Sequence, residues 1–211
     1  MNEKYVINIG RQCGAGGLKI AEILSKKLGI NYYDKNLIEI AAKKSGIGKE
    51  FFEKNEDNSP AGITGDLSGF FSNAVTGGYY GGSLLLNESL FKIQSDIIRQ
   101  LARKESCIFV GRCADYILRD SSHCLNVFIC GGIDERAERI MKERNEETDI
   151  EKVKKKIEKT DKNRAKYYTF YTNKTWGIAA SYHLCINSSA LGFDGTAAFI
   201  ESFAKKKFGL E

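Results

Sequence analysis

Tyr5-Val6-Ile7-Asn8-Ile9-Gly10-Arg11-Gln12-Cys13-Gly14-Ala15-Gly16-Gly17-Leu18 decides the reading of this 211-residue chain. Its first five residues are mostly apolar and rich in β-branched side chains, which predicts a buried strand. Glycines at 10, 14, 16 and 17 then predict a tight turn. Ile20, Ile23, Leu24 and Leu28 recur at helical spacing, so a helix over about 16–28 follows and Gly29 stops it. Strand, glycine-rich turn and helix N-terminus are the usual setting for phosphate. Glycines let successive amides point at an anion, and the positive end of the helix assists. The side chains that complete such a loop are replaced here. Gly17 stands where a lysine would meet the β- and γ-phosphates, and Leu18 stands where Ser or Thr would reach magnesium. Lys19 comes two positions late and, on the helix, is expected to point elsewhere. A purely structural turn is the plain alternative. Arg11 and the arginines further along favour an anion.

Outward from this loop, short apolar strands alternate with helices. Strands are predicted at 30–34, 107–110, 125–129 and 182–187. Helices are predicted at 35–45, 87–103, from Asp134, from about Asp149 to Lys166, and at 195–207. The alternation predicts a mostly parallel sheet covered on both faces. Right-handed crossovers make it a three-layer α/β/α sandwich with five strands, a single domain over 1–211. Ligands of such folds bind beyond the carboxyl ends of the strands. That rule gathers Gly10–Gly17, Asp34, Gly111-Arg112 and Cys130–Arg136 at one rim.

Two regions depart from the pattern. Residues 46–86 form an acceptor-side or flexible insertion whose stretch 57–83 carries the only proline, Pro60, many glycines, and Phe70, Phe71, Tyr79 and Tyr80. Its aromatics suit a cover over a ligand, a homodimer surface, or a satellite apolar cluster. Residues 145–176 read as a lid, with the basic run 152–156 facing phosphate or simply solvent.

The formal charge of +5, from 32 basic and 27 acidic residues, favours anionic partners. Basic residues are interleaved with acids and no recognition module is present, which argues against nucleic acid. Cysteines at 13, 107, 113, 124, 130 and 185 form no Cys-x-x-Cys pair, and two histidines accompany them, so structural zinc is not expected. Free thiols, no leader pattern and no apolar run of membrane-spanning length predict a reducing cytoplasmic setting with no membrane partner.

Individual side chains sharpen the rim. Arg112, after an apolar strand and a glycine, suits bidentate grip of phosphate, with a strand-end ion pair as the alternative. Arg136 and Arg139 share a helix face, and Asp161 and Arg164 repeat that spacing. Asp161 is expected to orient Arg164 toward a transferring phosphate, unless the two make only a surface pair. Tyr167, Tyr168, Phe170, Tyr171 and Trp176 suit a base clamp, an interface or a core cover.

Six pieces together resemble the cytidylate kinase-like family of the P-loop nucleoside monophosphate kinase fold, over nearly the whole chain. They are residues 9–17, Tyr33-Asp34-Lys35, Gly111-Arg112, residues 134–139, Asp161-Lys162-Asn163-Arg164 and Ile186-Asn187-Ser188-Ser189. The resemblance implies that Cys13, Gly14, Ala15, Gly16, Gly17 and Leu18 bind nucleotide phosphates, and that Asp34 and Arg112 bind the acceptor. It implies a catalytic set of Arg11, Arg136, Arg139, Asp161 and Arg164. ATP would be the donor, with Mg2+ carried by water and phosphates, and a nucleoside monophosphate such as CMP the acceptor. Nucleotides or other phosphorylated small molecules are the implied partners. Cys113 replaces the aspartate of the family's Gly-Arg-Asp motif, which bears on cytidine recognition. The alternatives are a non-catalytic nucleotide-sensing protein and a kinase for another small molecule.

Overall fold

The computed structural model describes residues 4–34, 82–144 and 149–210. Five strands form one sheet: β1 (Val6–Arg11), β2 (Asn31–Tyr33), β3 (Cys107–Val110), β4 (Cys124–Cys130) and β5 (Leu184–Asn187). They are all parallel, in the order β2-β3-β1-β4-β5. The helices are α1 (Gly17–Leu28), α2 (Gly82–Lys104), α3 (Ala114–Ile117), α4 (Ile133–Arg144), α5 (Ile150–Thr172) and α6 (Ser188–Phe208). The result is the expected three-layer α/β/α sandwich.

The central strands read as continuous apolar runs because both faces are covered. Ile7, Ile9, Ile108, Val110, Leu125, Val127 and Ile129 point to one face and pack against Ile20 and Leu24 of α1 and Ala197, Ile200 and Ala204 of α6. Val6, Cys107, Phe109 and Cys124 point to the other, where Ile97 and Ile98 of α2 and Ala114 and Ile117 of α3 meet them. A separate cluster joins α4 to α5 through Ala137, Val153 and Ile157, with Cys13 of the loop packed against it. Among the described residues no helix is long and apolar enough to cross a membrane.

Element boundaries moved where local signals were weak. α2 starts at Gly82, ahead of the predicted 87, and α5 continues past Lys166 to Thr172, ended by Asn173 in the left-handed region (φ 58°). α6 starts at Ser188, well before the predicted 195. Its first turn is capped by the Asn187 side chain, which accepts from the Ser189 amide at 2.9 Å. Gly192 (φ 65°, ψ −177°) kinks that helix, which explains why only the stretch beyond it looked helical from the sequence. The predicted helix over 35–45 and the glycine and aromatic stretch up to residue 81 lie outside the described residues, as do residues 145–148 of the predicted lid.

Candidate functional site

β1 ends at Arg11 and the chain turns through Gln12–Gly16 into α1. Gln12 extends the sheet pairing by donating its amide to the Ile129 carbonyl at 3.0 Å, and its side-chain Oε1 accepts from the Gly131 amide at 3.2 Å. The Cys13 amide donates to Asp161 Oδ1 at 2.7 Å, and the Ala15 amide to the Gln12 carbonyl at 3.3 Å. The amides of Gly14, Gly16, Gly17 and Leu18 have no acceptor among the described residues. Gly16, the N-cap of α1, lies in the left-handed region (φ 75°) and the cap has no side-chain hydrogen bond. Amides without acceptors at a helix start, with a left-handed glycine before them, are the geometry that anion-binding nests use.

Three arginines face the same rim. Arg11 lies across the loop: a Cβ on Gly17 would come within 2.6 Å of Arg11 Cγ and 2.7 Å of its Cβ, and a Cβ on Gly111 would collide with Arg11 Nη1. Burial first, then the charges of Arg164 and Arg112, lower the Arg11 pKa to about 9, opposed by Asp34 and Cys13. Arg164 comes from α5 and donates through Nη1 to the Arg11 carbonyl at 3.1 Å. Arg112 follows β3 in a turn where Gly111, Arg112 and Cys113 all have positive φ (80°, 59° and 54°). For the two non-glycine residues this is a costly conformation, of the kind concentrated at binding sites. It sets the Arg112 guanidinium 5.8 Å from the centroid of Tyr167. Gln94 of α2, itself buried, secures the turn by donating to the Arg112 carbonyl at 3.2 Å. Asp34 follows β2 at the same end of the sheet, part-buried.

The other two predicted arginines hold the loop. Arg136 is nearly enclosed, and its Nη1 donates to the Cys13 carbonyl at 3.0 Å and to Asp161 Oδ2 at 2.7 Å. Asp161, expected beside Arg164, instead joins Arg136 of α4 to the Cys13 amide, so both carboxylate oxygens are engaged. Gly14 (φ 74°) has no room for a Cβ because the Arg136 backbone carbonyl would be 2.8 Å away. Arg139 donates to Ser188 Oγ at 3.0 Å and Ser189 Oγ at 3.1 Å and lies 5.1 Å from the centroid of Phe193. Phe193 itself packs onto Gly16, in the space that a side chain there would need. Ser188 completes the link by donating to the Ala15 carbonyl at 2.8 Å.

The structure thus brings Arg11, Arg112 and Arg164 together and sets Arg136, Arg139 and Asp161 against the loop's flank. Lys19 points away, as expected, and pairs with Glu22 at 3.2 Å. Leu18 is exposed. The sequence reading counted Ser188 and Ser189 in a resembling piece without giving them a site role, and it missed Gln94 and Phe193 as site neighbours. Gln94 and Phe193 sat in helical patterns with no local signal.

Among the described residues no cluster of three His, Cys, Asp or Glu side chains suits a metal ion. The groups gathered at the rim are backbone amides and guanidiniums, with Asp34 the nearby carboxylate.

No curated protein matches the chain. Among solved structures, it is similar to an uncharacterized protein from Eubacterium ventriosum ATCC 27560, at 26% identity, 96% coverage of this chain and 99% of that one, and a TM-score of 0.69. A shikimate kinase from Bacteroides thetaiotaomicron shares the fold at 13% identity, with 95% and 98% coverage and a TM-score of 0.53. The model of the cytidylate kinase-like family matches residues 6–190. With that match spanning most of its length, the chain belongs to the cytidylate kinase-like family.

Proposed function

We propose that this protein transfers the γ-phosphoryl group of ATP to a nucleoside monophosphate, with CMP the first acceptor to test. The observation that carries this reading is the convergence of Arg11, Arg112 and Arg164 above a loop with four open amides. Like charges gathered at one rim, with Asp34 as the opposing charge, favour an anion between them. The loop amides would take the donor phosphates and Arg112, with Asp34, the acceptor. Arg164, on the lid region 145–176, would close over the transferring group.

In the reaction an oxygen of the acceptor phosphate forms a bond to the γ-phosphorus as the bridging β,γ P–O bond breaks, leaving ADP. No protein nucleophile or strong base is needed. The protein aligns the two phosphates and offsets the charge between them. Mg2+, when bound, would be carried by phosphate oxygens and water near Asp34, and would neutralise part of the donor's charge. Arg136 and Asp161 would hold the loop backbone in register, and Arg139 would hold the start of α6 against it. Closure of α5 over the rim would exclude water and limit ATP hydrolysis.

Leu18, in place of a hydroxyl, favours a second reading, a protein that binds nucleotide without turning it over. Radiolabelled γ-phosphate transfer separates the two. Folded protein, ATP and Mg2+ are tested with CMP, UMP, AMP, GMP and hydroxylated non-nucleotide acceptors. Product with a monophosphate supports the proposal. ATP binding without product from any acceptor supports the sensor and refutes transfer. Product only with a non-nucleotide acceptor makes this a kinase of another small molecule.

A further inference from the structure

In the phosphate-loop pattern a glycine at the strand end is followed six residues later by lysine. Here the same two positions hold Arg11 and Gly17. Large and small have changed places, and the structure shows why the changes belong together. The aliphatic stem of Arg11 passes so close over Gly17 that a Cβ there would lie 2.6 Å from Arg11 Cγ, closer than carbon atoms pack. A lysine at 17 and an arginine at 11 cannot both be accommodated in this arrangement. Gly111, from the distant β3 turn, leaves the space that the Arg11 Nη1 fills. Its φ of 80° also disfavours any side chain there.

We propose that Arg11 supplies, from the end of β1, the positive charge that a phosphate loop ordinarily carries on the first turn of its helix, and that Gly17 and Gly111 form the mould that admits it. This rests on the phosphate-binding reading of the loop and adds which residue carries the donor-side charge. Two features support it. The side chain spans from Gly17, which its stem covers, to the Gly111-Arg112 turn, where its guanidinium lies between the proposed donor and acceptor sides. Its charged neighbours there are Arg164 from α5 and Arg112 from the β3 turn, with Asp34 after β2 as the opposing charge. A charge so placed is stabilised by a polyanion in a way that an isolated surface arginine is not.

The exchange makes an asymmetric prediction. Inorganic tripolyphosphate and a β,γ-imido analogue of ATP are titrated into the full-length protein by calorimetry, with thermal melting to confirm folding. Arg11→Met, which keeps the stem and removes the charge, should weaken tripolyphosphate at least about tenfold, the scale of a lost charge-assisted contact. Gly17→Lys alone should bind no better than wild type, or lower the melting temperature, because the new stem meets Arg11. Arg11→Gly with Gly17→Lys should bind more tightly than Arg11→Gly alone by about tenfold, a coupling that independent sites would not give. Wild-type affinity in Arg11→Met overturns the proposal while leaving the phosphate-binding loop intact. So does a folded double variant that binds no better than Arg11→Gly. If Arg11→Gly and the double variant both fail to fold, the Arg11→Met titration alone decides. A wild-type protein that binds neither probe overturns the functional reading itself.

Discussion

At the scale of single residues, the two arginines on either side of the rim should have separable effects. Arg112, on the proposed acceptor side, is held by a strained turn and by Gln94. Arg112→Ala should raise the Michaelis constant for the acceptor about tenfold or more, with ATP affinity largely kept, read by steady-state kinetics and ATP calorimetry. Equal loss of ATP affinity would move Arg112 to the donor side. Arg11 adds a pH signature. Burial and its like-charged neighbours Arg164 and Arg112 lower its pKa to about 9, against the pull of Asp34 and Cys13. Below that pH the guanidinium is charged and can meet an anion, and above it the proton must first be regained. Tripolyphosphate affinity should therefore decline more at strongly alkaline pH in wild type than in Arg11→Met, whose side chain carries no proton to lose. The same decline in that variant would assign the titration to another group.

At the scale of elements, two of the ties that hold α5 differ in physical character. Near its middle, Asp161 joins the loop and α4 in a buried ion pair, with the two side chains 14% and 7% exposed. Near its end, Tyr168 Oη donates to Asp115 Oδ2 of α3 at 2.7 Å. Burial there raises the Asp115 carboxyl above its usual range, and the Tyr168 hydrogen bond pulls the other way. Breaking the middle tie leaves Arg136 charged and enclosed. Asp161→Ala should cost about 3–5 kcal/mol of stability in urea unfolding. Replacing both partners, Arg136→Met with Asp161→Leu, should recover much of that stability yet leave the Cys13 amide and carbonyl without their partners. Nucleotide affinity in the folded double variant should then stay low. Full affinity in it would limit the pair to a structural role.

At the scale of the whole molecule, the parallel sheet presents its carboxyl rim to the loop, to Arg112, and to the starts of α4 and α6. A ligand bound there touches segments from both halves of the chain and should stabilise it as a unit. ATP at about 100 times its dissociation constant should add about 2.7 kcal/mol to unfolding, visible as a single melting transition at higher temperature. An unchanged melting temperature at saturating ATP would argue against the rim as its site. How much of this was legible beforehand differs by level. Ile7, Ile9, Ile108 and Val127 declared buried strands because apolar runs are a local signal. The glycines up to Gly17 declared a turn because glycine has few other uses at such density, though Gly10 and Arg11 extend β1 and Gly17 already starts α1. The partners of Asp161 were not legible: its nearest sequence candidate was Arg164, and helical spacing cannot tell which neighbour lies on another element. The start of α6 was hidden because Gly192 breaks its periodicity.

The sequence by itself determined the alternation of strands and helices, the phosphate-loop shape and the loss of its lysine and hydroxyl, because these are properties of composition and short-range spacing. The tertiary structure alone decided how Arg11 fits over Gly17 and against Gly111. Arg11, Gly17 and Gly111 belong to one packed unit only because β1 and β3 are hydrogen-bonded neighbours. Arg11 and Gly17 are near in the chain, but the space that Gly111 leaves comes from a distant strand, which no local pattern encodes.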